Sequence, residues 1–308
     1  MNLYFSFLST LSLLVLFSGC TSKQKDTTLL NTEIVSASNT VKKRELSQDF
    51  NEYWYAGNAE ITSYKLSQER YGELREGNAV TIFVTEDFVP KKQVKADSPS
   101  EENIPVLKLN RTKKFLTGIY PYSIMTSTFS PVASTENALK VTNSVQEWCG
   151  QVFMQLNNKS EYEINSYSYF ESEGDQSLQL KKDWLEDEIW SLIRIHPEEL
   201  PTGDIMMIPS FESIRLRHKE IKAYTAFANL KQGDSISSYS LNYPNLQREL
   251  KIYFQSEFPY QIEKWEEING ANNTESLKTT ATRLKTIKTA YWRQNNNKDV
   301  VLRDSLGL

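Results

Sequence analysis

Histidine and cysteine are scarce in this 308-residue chain, with two of each, and that scarcity removes several chemistries at once. Two cysteines, Cys20 and Cys149, cannot build the disulfide framework of a small secreted scaffold. The histidines, His196 and His218, form no His-Glu-x-x-His helix, and neither has a second His or Cys at metal-ligand spacing, so no metal site is expected. A phosphate-cradling Gly-rich loop and a Gly-x-Ser-x-Gly elbow are both missing, so nothing points to a cofactor or to serine-hydrolase chemistry. No basic block interleaved with aromatics occurs, and the formal charge of -4 argues against a nucleic-acid partner.

What is present begins at the amino terminus. Met1 to Cys20 carries an apolar core through Leu11, Leu13, Leu14, Val15, Leu16 and Phe17. It is shorter than the roughly twenty apolar residues that span a bilayer and is broken by Ser9, Thr10 and Ser12, so residues 1–19 read as a signal peptide. The leader lacks the usual basic residues near its start. Its end, Leu16-Phe17-Ser18-Gly19-Cys20, resembles the bacterial lipobox. That resemblance implies cleavage before Cys20, a diacylglycerol thioether on its sulfur, and palmitate-type acylation of the new amino terminus. Several acyl chains at about 0.8 kcal/mol per buried methylene hold a protein durably on a membrane. Thr21 rather than Asp follows Cys20, which points to the outer membrane, on a face the sequence leaves open.

If Cys20 is acylated, Cys149 has no intramolecular partner. It stands in Val145 to Phe153 among apolar residues at strand-like spacing, and reads as a buried, inert small side chain.

Residues 20–46 are rich in Ser, Thr, Asn and Lys and read as a flexible tether, leaving 47–308 as a single β-rich domain. A lobe boundary, were there one, would fall near 183–203. Leu46, Phe50, Tyr53 and Trp54 share one helical face, and Gly57 can end that helix. Strand-like alternation then dominates. Ala59 to Tyr71 and Ala79 to Phe88 form neighbouring antiparallel strands. After a polar loop from Lys91 to Asn103, further strands are expected at Ile104 to Leu109, Lys113 to Phe129, Ala138 to Val145, Gln151 to Leu156, Tyr162 to Phe170 and Leu178 to Leu180. Asp183 reads as the N-cap of a helix that His196-Pro197 stops. Strands are expected again at Ile205 to Ile208, Phe211 to Arg217, Ile221 to Asn229, Ser237 to Tyr243, Leu250 to Phe254, Tyr260 to Trp265, Thr279 to Gln294 and Val300 to Leu306. This spacing predicts a mainly β fold: an antiparallel curled sheet, as an open barrel or a two-layer stack, with a few short helices.

The strand segments Glu60 to Leu66, Arg70 to Glu73 and Ile82 to Phe88 are similar to a group of uncharacterised lipoproteins of Bacteroidota-type bacteria, over most of the mature chain. Members of that group are sometimes named septum formation inhibitor Maf. The Maf pyrophosphatases carry a Ser-x-Ser-Pro-Arg-Arg signature near their start, whereas Ser127 to Ala133 here keeps the Ser-Pro but neither Arg. The Maf activity therefore does not transfer. The strand pattern also resembles periplasmic proteins whose curled sheets form half-barrels and which carry lipids or assist envelope assembly. Asp26-Thr27-Thr28, Asp234-Ser235-Ile236 and Asp304-Ser305-Leu306 resemble O-glycosylation triplets of such bacteria.

For catalysis, Cys149 with His196 or His218 is the one nucleophile and base combination available. A carboxylate pair could be drawn from 39 acidic residues with nothing to select it. Glu171-Ser172-Glu173-Gly174-Asp175 reads as a solvated hairpin turn. The expected function is thus a lipid-anchored, non-enzymatic envelope protein that binds or carries an apolar ligand, a glycan or another envelope component. The alternative is a periplasmic hydrolase with an unrecognised carboxylate or Cys site.

Overall fold

A computed structural model describes residues 41–270 and 277–308. The signal peptide, Cys20 and the tether as far as residue 40 lie outside the described residues. In chain order the elements are α1 (Gln48–Trp54), β1 (Ala59–Arg70), β2 (Glu73–Val89), β3 (Val94–Lys95), β4 (Ile104–Thr117), β5 (Tyr120–Pro131), β6 (Lys140–Glu147), β7 (Gly150–Asn158), β8 (Tyr162–Ser168), β9 (Gln176–Leu180) and β10 (Trp184–Leu185). They continue as α2 (Glu186–Ile195), β11 (Gly203–Ile208), α3 (Phe211–Arg217), β12 (Tyr224–Lys231), β13 (Ile236–Tyr243), β14 (Arg248–Gln255), β15 (Ile262–Asn269), β16 (Lys278–Thr289) and α4 (Val301–Leu306).

The strands form one sheet in the order β10-β11-β12-β13-β14-β15-β16-β1-β2-β4-β5-β6-β7-β8-β9, with β3 appended to β2. Every pairing is antiparallel except β10 with β11. The mainly β, curled antiparallel architecture expected from the sequence is therefore present, and the sheet does not close: β9 and β10, its two ends, are not hydrogen-bonded to each other. Only Lys181-Lys182-Asp183 joins them, and the Tyr162 hydroxyl donates to the Asp183 carbonyl at 2.9 Å across this seam.

Inside the curl lies α2, and every one of its ten residues is buried. Its side chains meet strands from both arms of the sheet. Trp190 packs edge-on against Trp265 of β15 at 5.2 Å, and the Arg111 guanidinium of β4 sits 4.3 Å over the Trp190 ring. Glu186 takes two hydrogen bonds from Arg248 of β14, and Arg194 gives two to Glu60 of β1. A helix this charged can be buried because each charge meets an opposite charge or several donors; an unpaired buried ion would be far too costly.

Three strand assignments made from the sequence are corrected. Phe211–Arg217 is the helix α3, capped by the Ser210 hydroxyl on the Ser213 amide at 3.2 Å. Its first six residues are all buried, so no one-sided period marks it as helical. Val301–Leu306 is the helix α4, ended by Gly307 at φ 68°. It covers the outer face of β1, where Leu306 packs with Ile61 and Val84, and the Ser63 hydroxyl donates to the Leu306 carbonyl. Lastly, the break expected near residues 110–112 is absent, because β4 runs unbroken to Thr117 and turns at Gly118-Ile119. Arg111 and Lys113 point inward to ion-pair with Asp187 and Glu212, so the buried face of β4 reads as polar. The helix that Asp183 was expected to cap starts instead after Leu185, whose amide donates to Glu188 at 3.0 Å.

Candidate binding cleft at the seam of the sheet

The two margins of the sheet differ. One gathers the two-residue turns of β1–β2, β4–β5 and β6–β7 and the β8–β9 turn. The other holds the segments around 132–139, 158–161 and 181–202, and there a cleft of about 990 Å³ opens beside the seam. Residues 41–46, the end of the expected tether, are built into its wall. Lys43 bridges to Ser134, and buried Arg44 donates to Glu199 at 2.6 to 3.1 Å and to the Pro131 and Val132 carbonyls.

At the start of α2, Glu188 accepts from the Asn137 side-chain amide and the Ala138 amide, both at 2.7 Å, and from the Leu185 amide at 3.0 Å. Burial pushes its carboxyl up to about 7, against the pull of these donors. Its neighbour Asp187, which faces Arg111 and the Phe211 amide, is likewise raised by burial to about 6 despite Arg111. Two groups in the cleft wall remain without an intramolecular hydrogen bond. Asn158 is 6 % exposed, its amide nitrogen donates to the Asn137 and Ala138 carbonyls, and its Oδ1 is unmatched. Trp184, half-buried in β10, has a buried and unmatched Nε1. An acceptor and a donor thus lie unmatched and shielded from solvent in the wall, on two residues that line the cleft. The charged lining is balanced, with Lys42, Arg44, Lys181 and Lys182 against Glu136, Glu161, Glu188 and Glu199.

The residues singled out in the sequence lie elsewhere. Cys20 is outside the described residues. Cys149 is exposed, not buried as expected: it occupies the two-residue turn Trp148-Cys149, where Glu147 pairs with Gly150. The alternation around it is real, but a tight turn interrupts the two strands at that point. A hydrogen bond from the thiol to Glu147 pushes the thiol pKa up, away from nucleophilic use. His196 caps the C-terminus of α2 near the cleft margin, whereas Cys149 sits on the opposite margin. His218 ends α3 in the left-handed region at φ 50° and pairs through Nδ1 with Glu173 at 2.7 Å. Glu173 also accepts from Arg215, and Asp175 accepts from the Ser168 amide, so the acidic run 171–175 is tied both to α3 and to its own turn. Among the described residues no group of three or more His, Cys, Asp or Glu is arranged to hold a metal ion. No helix among them is long and apolar enough to cross a membrane.

None of the cleft residues Arg44, Asn158, Trp184, Glu188 and Glu199 was singled out by sequence reasoning. Only the run Glu186-Asp187-Glu188 on a helix with an apolar face was a signal, and acidic residues at a helix start are ordinarily explained by the macrodipole. Comparison with protein-family models, with curated proteins and with solved structures found no match.

Proposed function

We propose that this chain is a lipoprotein of the bacterial cell envelope, held on the outer membrane through Cys20, that binds a polyhydroxylated ligand of the glycan class in the seam cleft. The observation that carries the ligand class is the pair of partnerless polar groups in the cleft wall, Trp184 Nε1 and Asn158 Oδ1, which side-chain rotation would turn toward a ligand. A sugar hydroxyl both donates and accepts, so one ligand type satisfies both groups, while sugar C–H faces pack on indole. Balanced charge along the cleft suits a near-neutral ligand. The hollow of the sheet, where an acyl chain would lie, is filled by α2, which favours a polar ligand over an apolar one.

A second reading, a hydrolase built on carboxylates, draws on Glu188, whose carboxyl is raised to about 7 in the same cleft as Glu199. Both Glu188 oxygens already accept hydrogen bonds from the protein, which suits a structural clamp better than a proton shuttle.

The test uses full-length protein purified from membranes. Palmitate labelling of the parent and of Cys20→Ser reads the anchor, and unchanged labelling in the variant removes it. Titration with neutral oligosaccharides, followed by saturation-transfer NMR, is expected to show saturable binding. Its absence overturns the glycan reading, and time-dependent cleavage of the oligosaccharide transfers the case to the hydrolase.

A further inference from the structure

The margin opposite the cleft carries a row of large apolar side chains at its turn apices. The β1–β2 turn is Tyr71-Gly72, the β4–β5 turn is Gly118-Ile119 and the β6–β7 turn is Trp148-Cys149, each closed by the pair of residues flanking it. Tyr71 is 57 % exposed, Ile119 83 % and Trp148 68 %, and Tyr169 in the next turn is 80 % exposed. Two-residue hairpin turns favour Asn, Asp and Gly, so turn chemistry alone does not select a Tyr, an Ile or a Trp there. Tyr71 even adopts φ 56°, a conformation that disfavours bulky side chains. Tyr71 is held there by its own neighbours, its ring under the Arg70 guanidinium at 4.3 Å and its hydroxyl bonded to that of Tyr122 at 2.8 Å, whereas no hydrogen bond or turn preference accounts for Ile119 and Trp148 at their exposed tips.

The row is continuous. Successive hairpins lie two strands apart, roughly 10 Å. Between the tips, Tyr120 stacks near Trp148 with ring centroids 6.3 Å apart, and Tyr169 packs over Gly150. No charged residue occupies any of the three two-residue turns.

We propose that this row is a membrane-docking rim that enters the interfacial layer of a lipid bilayer. Separate convex tips suit a fluid bilayer, which closes around each one, whereas a rigid partner would need a matched pocket for every tip. Trp and Tyr at headgroup depth with an aliphatic side chain beside them is the composition that interface prefers. The inference takes from the proposed anchor only that a bilayer is within reach. Twenty residues, 21–40, lie between Cys20 and Val41. At up to about 3.6 Å each, their contour is long enough to pass the roughly 40 Å length of a twelve-residue strand such as β1. The cleft, on the opposite margin, then opens away from the membrane.

The test labels Cys149 of the full-length protein with an environment-sensitive maleimide fluorophore and reconstitutes it into phosphatidylethanolamine–phosphatidylglycerol vesicles. Flotation of the vesicles reads the anchor; quenching of the probe by doxyl-labelled lipid reads the rim, whether or not the protein floats. Docking predicts at least twofold quenching, lost in Ile119→Asp with an unchanged circular dichroism spectrum. A second readout free of the label is quenching of intrinsic fluorescence by brominated lipid, expected to fall in Trp148→Phe. A protein that floats with its Cys149 probe still aqueous and unquenched keeps the anchor and overturns the rim, leaving the row to a protein or glycan partner. A protein that does not float has a free Cys20, so the labelling is repeated on Cys20→Ser, whose single thiol is Cys149; quenching there on vesicle addition removes the anchor and keeps the rim, and an aqueous probe overturns the rim.

Discussion

Arg194, in the last turn of α2, gives both terminal guanidinium nitrogens to Glu60 at the start of β1, at 2.6 and 2.7 Å, across 134 residues of sequence. Both side chains are fully buried. Burial works to raise the Glu60 carboxyl, but Arg194 and the Tyr53 hydroxyl outweigh it and hold it below the usual range. The Arg194 Nε donates to the Pro259 carbonyl at 2.8 Å, so one guanidinium joins the helix, the first strand and the β14–β15 loop. Replacing one member leaves the other charge buried and unpaired. Arg194→Met is therefore expected to destabilise the domain by about 3–5 kcal/mol in urea unfolding, and Arg194→Met with Glu60→Leu to recover much of that loss.

The pH dependence of stability follows from the acidic groups around α2. Asp187 and Glu188 are raised by burial to about 6 and about 7, so their contribution is fully present below their unfolded values near 4 and is lost as pH rises through 6 to 7. Glu267 behaves oppositely. Burial alone would raise it, but Arg248 and Lys113 bring it to about 2, so its contribution is present above its unfolded value and is lost as pH falls toward 2. Melting temperature measured from pH 3 to pH 8 is expected to peak near pH 4 to 5. Glu188→Gln is expected to flatten the decline above pH 6 and lower the maximum, since its amide group cannot accept from all three donors. A decline above pH 6 that is unchanged in the variant would assign it elsewhere.

The thiol of Cys149 is exposed and held protonated by its hydrogen bond to Glu147. Maleimide should label it completely in the folded protein, slowly at pH 7 and faster at pH 9, because the thiolate is the reactive form. In Glu147→Gln the rate at pH 7 is expected to rise. Labelling that requires denaturant would contradict the turn geometry.

In the cleft, Trp184→Phe keeps the aromatic surface and removes the Nε1 donor. One lost hydrogen bond of about 1 kcal/mol weakens oligosaccharide binding roughly fivefold. The melting temperature should fall only modestly, through lost indole packing rather than a lost hydrogen bond, so affinity is compared where both proteins are folded. Equal affinity in parent and variant would place the ligand away from β10.

By itself the sequence determined the class of fold and the proposed address. Period-two alternation along β6, β7, β8 and β14 repeats at each strand because each has one buried face, and a local pattern is enough to reveal that. The lipobox-like segment ending at Cys20 is equally local. The tertiary structure decided what local pattern cannot carry. In α3 nearly every residue is buried, so its periodicity vanished and it read as a strand, whereas the apolar stripe of α2 kept it legible as a helix. Inward-facing Arg111 and Lys113 disguised a long strand, because their partners Asp187 and Glu212 lie more than seventy residues away. The cleft is assembled from residues 41–44, 135–137, 158–161, 181–192 and 199–202, segments brought together only when the sheet curls around α2 and its ends meet at the seam. The apolar row on the other margin likewise depends on strand order: turns near 71, 118, 148 and 169 become neighbours only because hydrogen-bonding β2 to β4 and β5 through β8 lines them up along one edge.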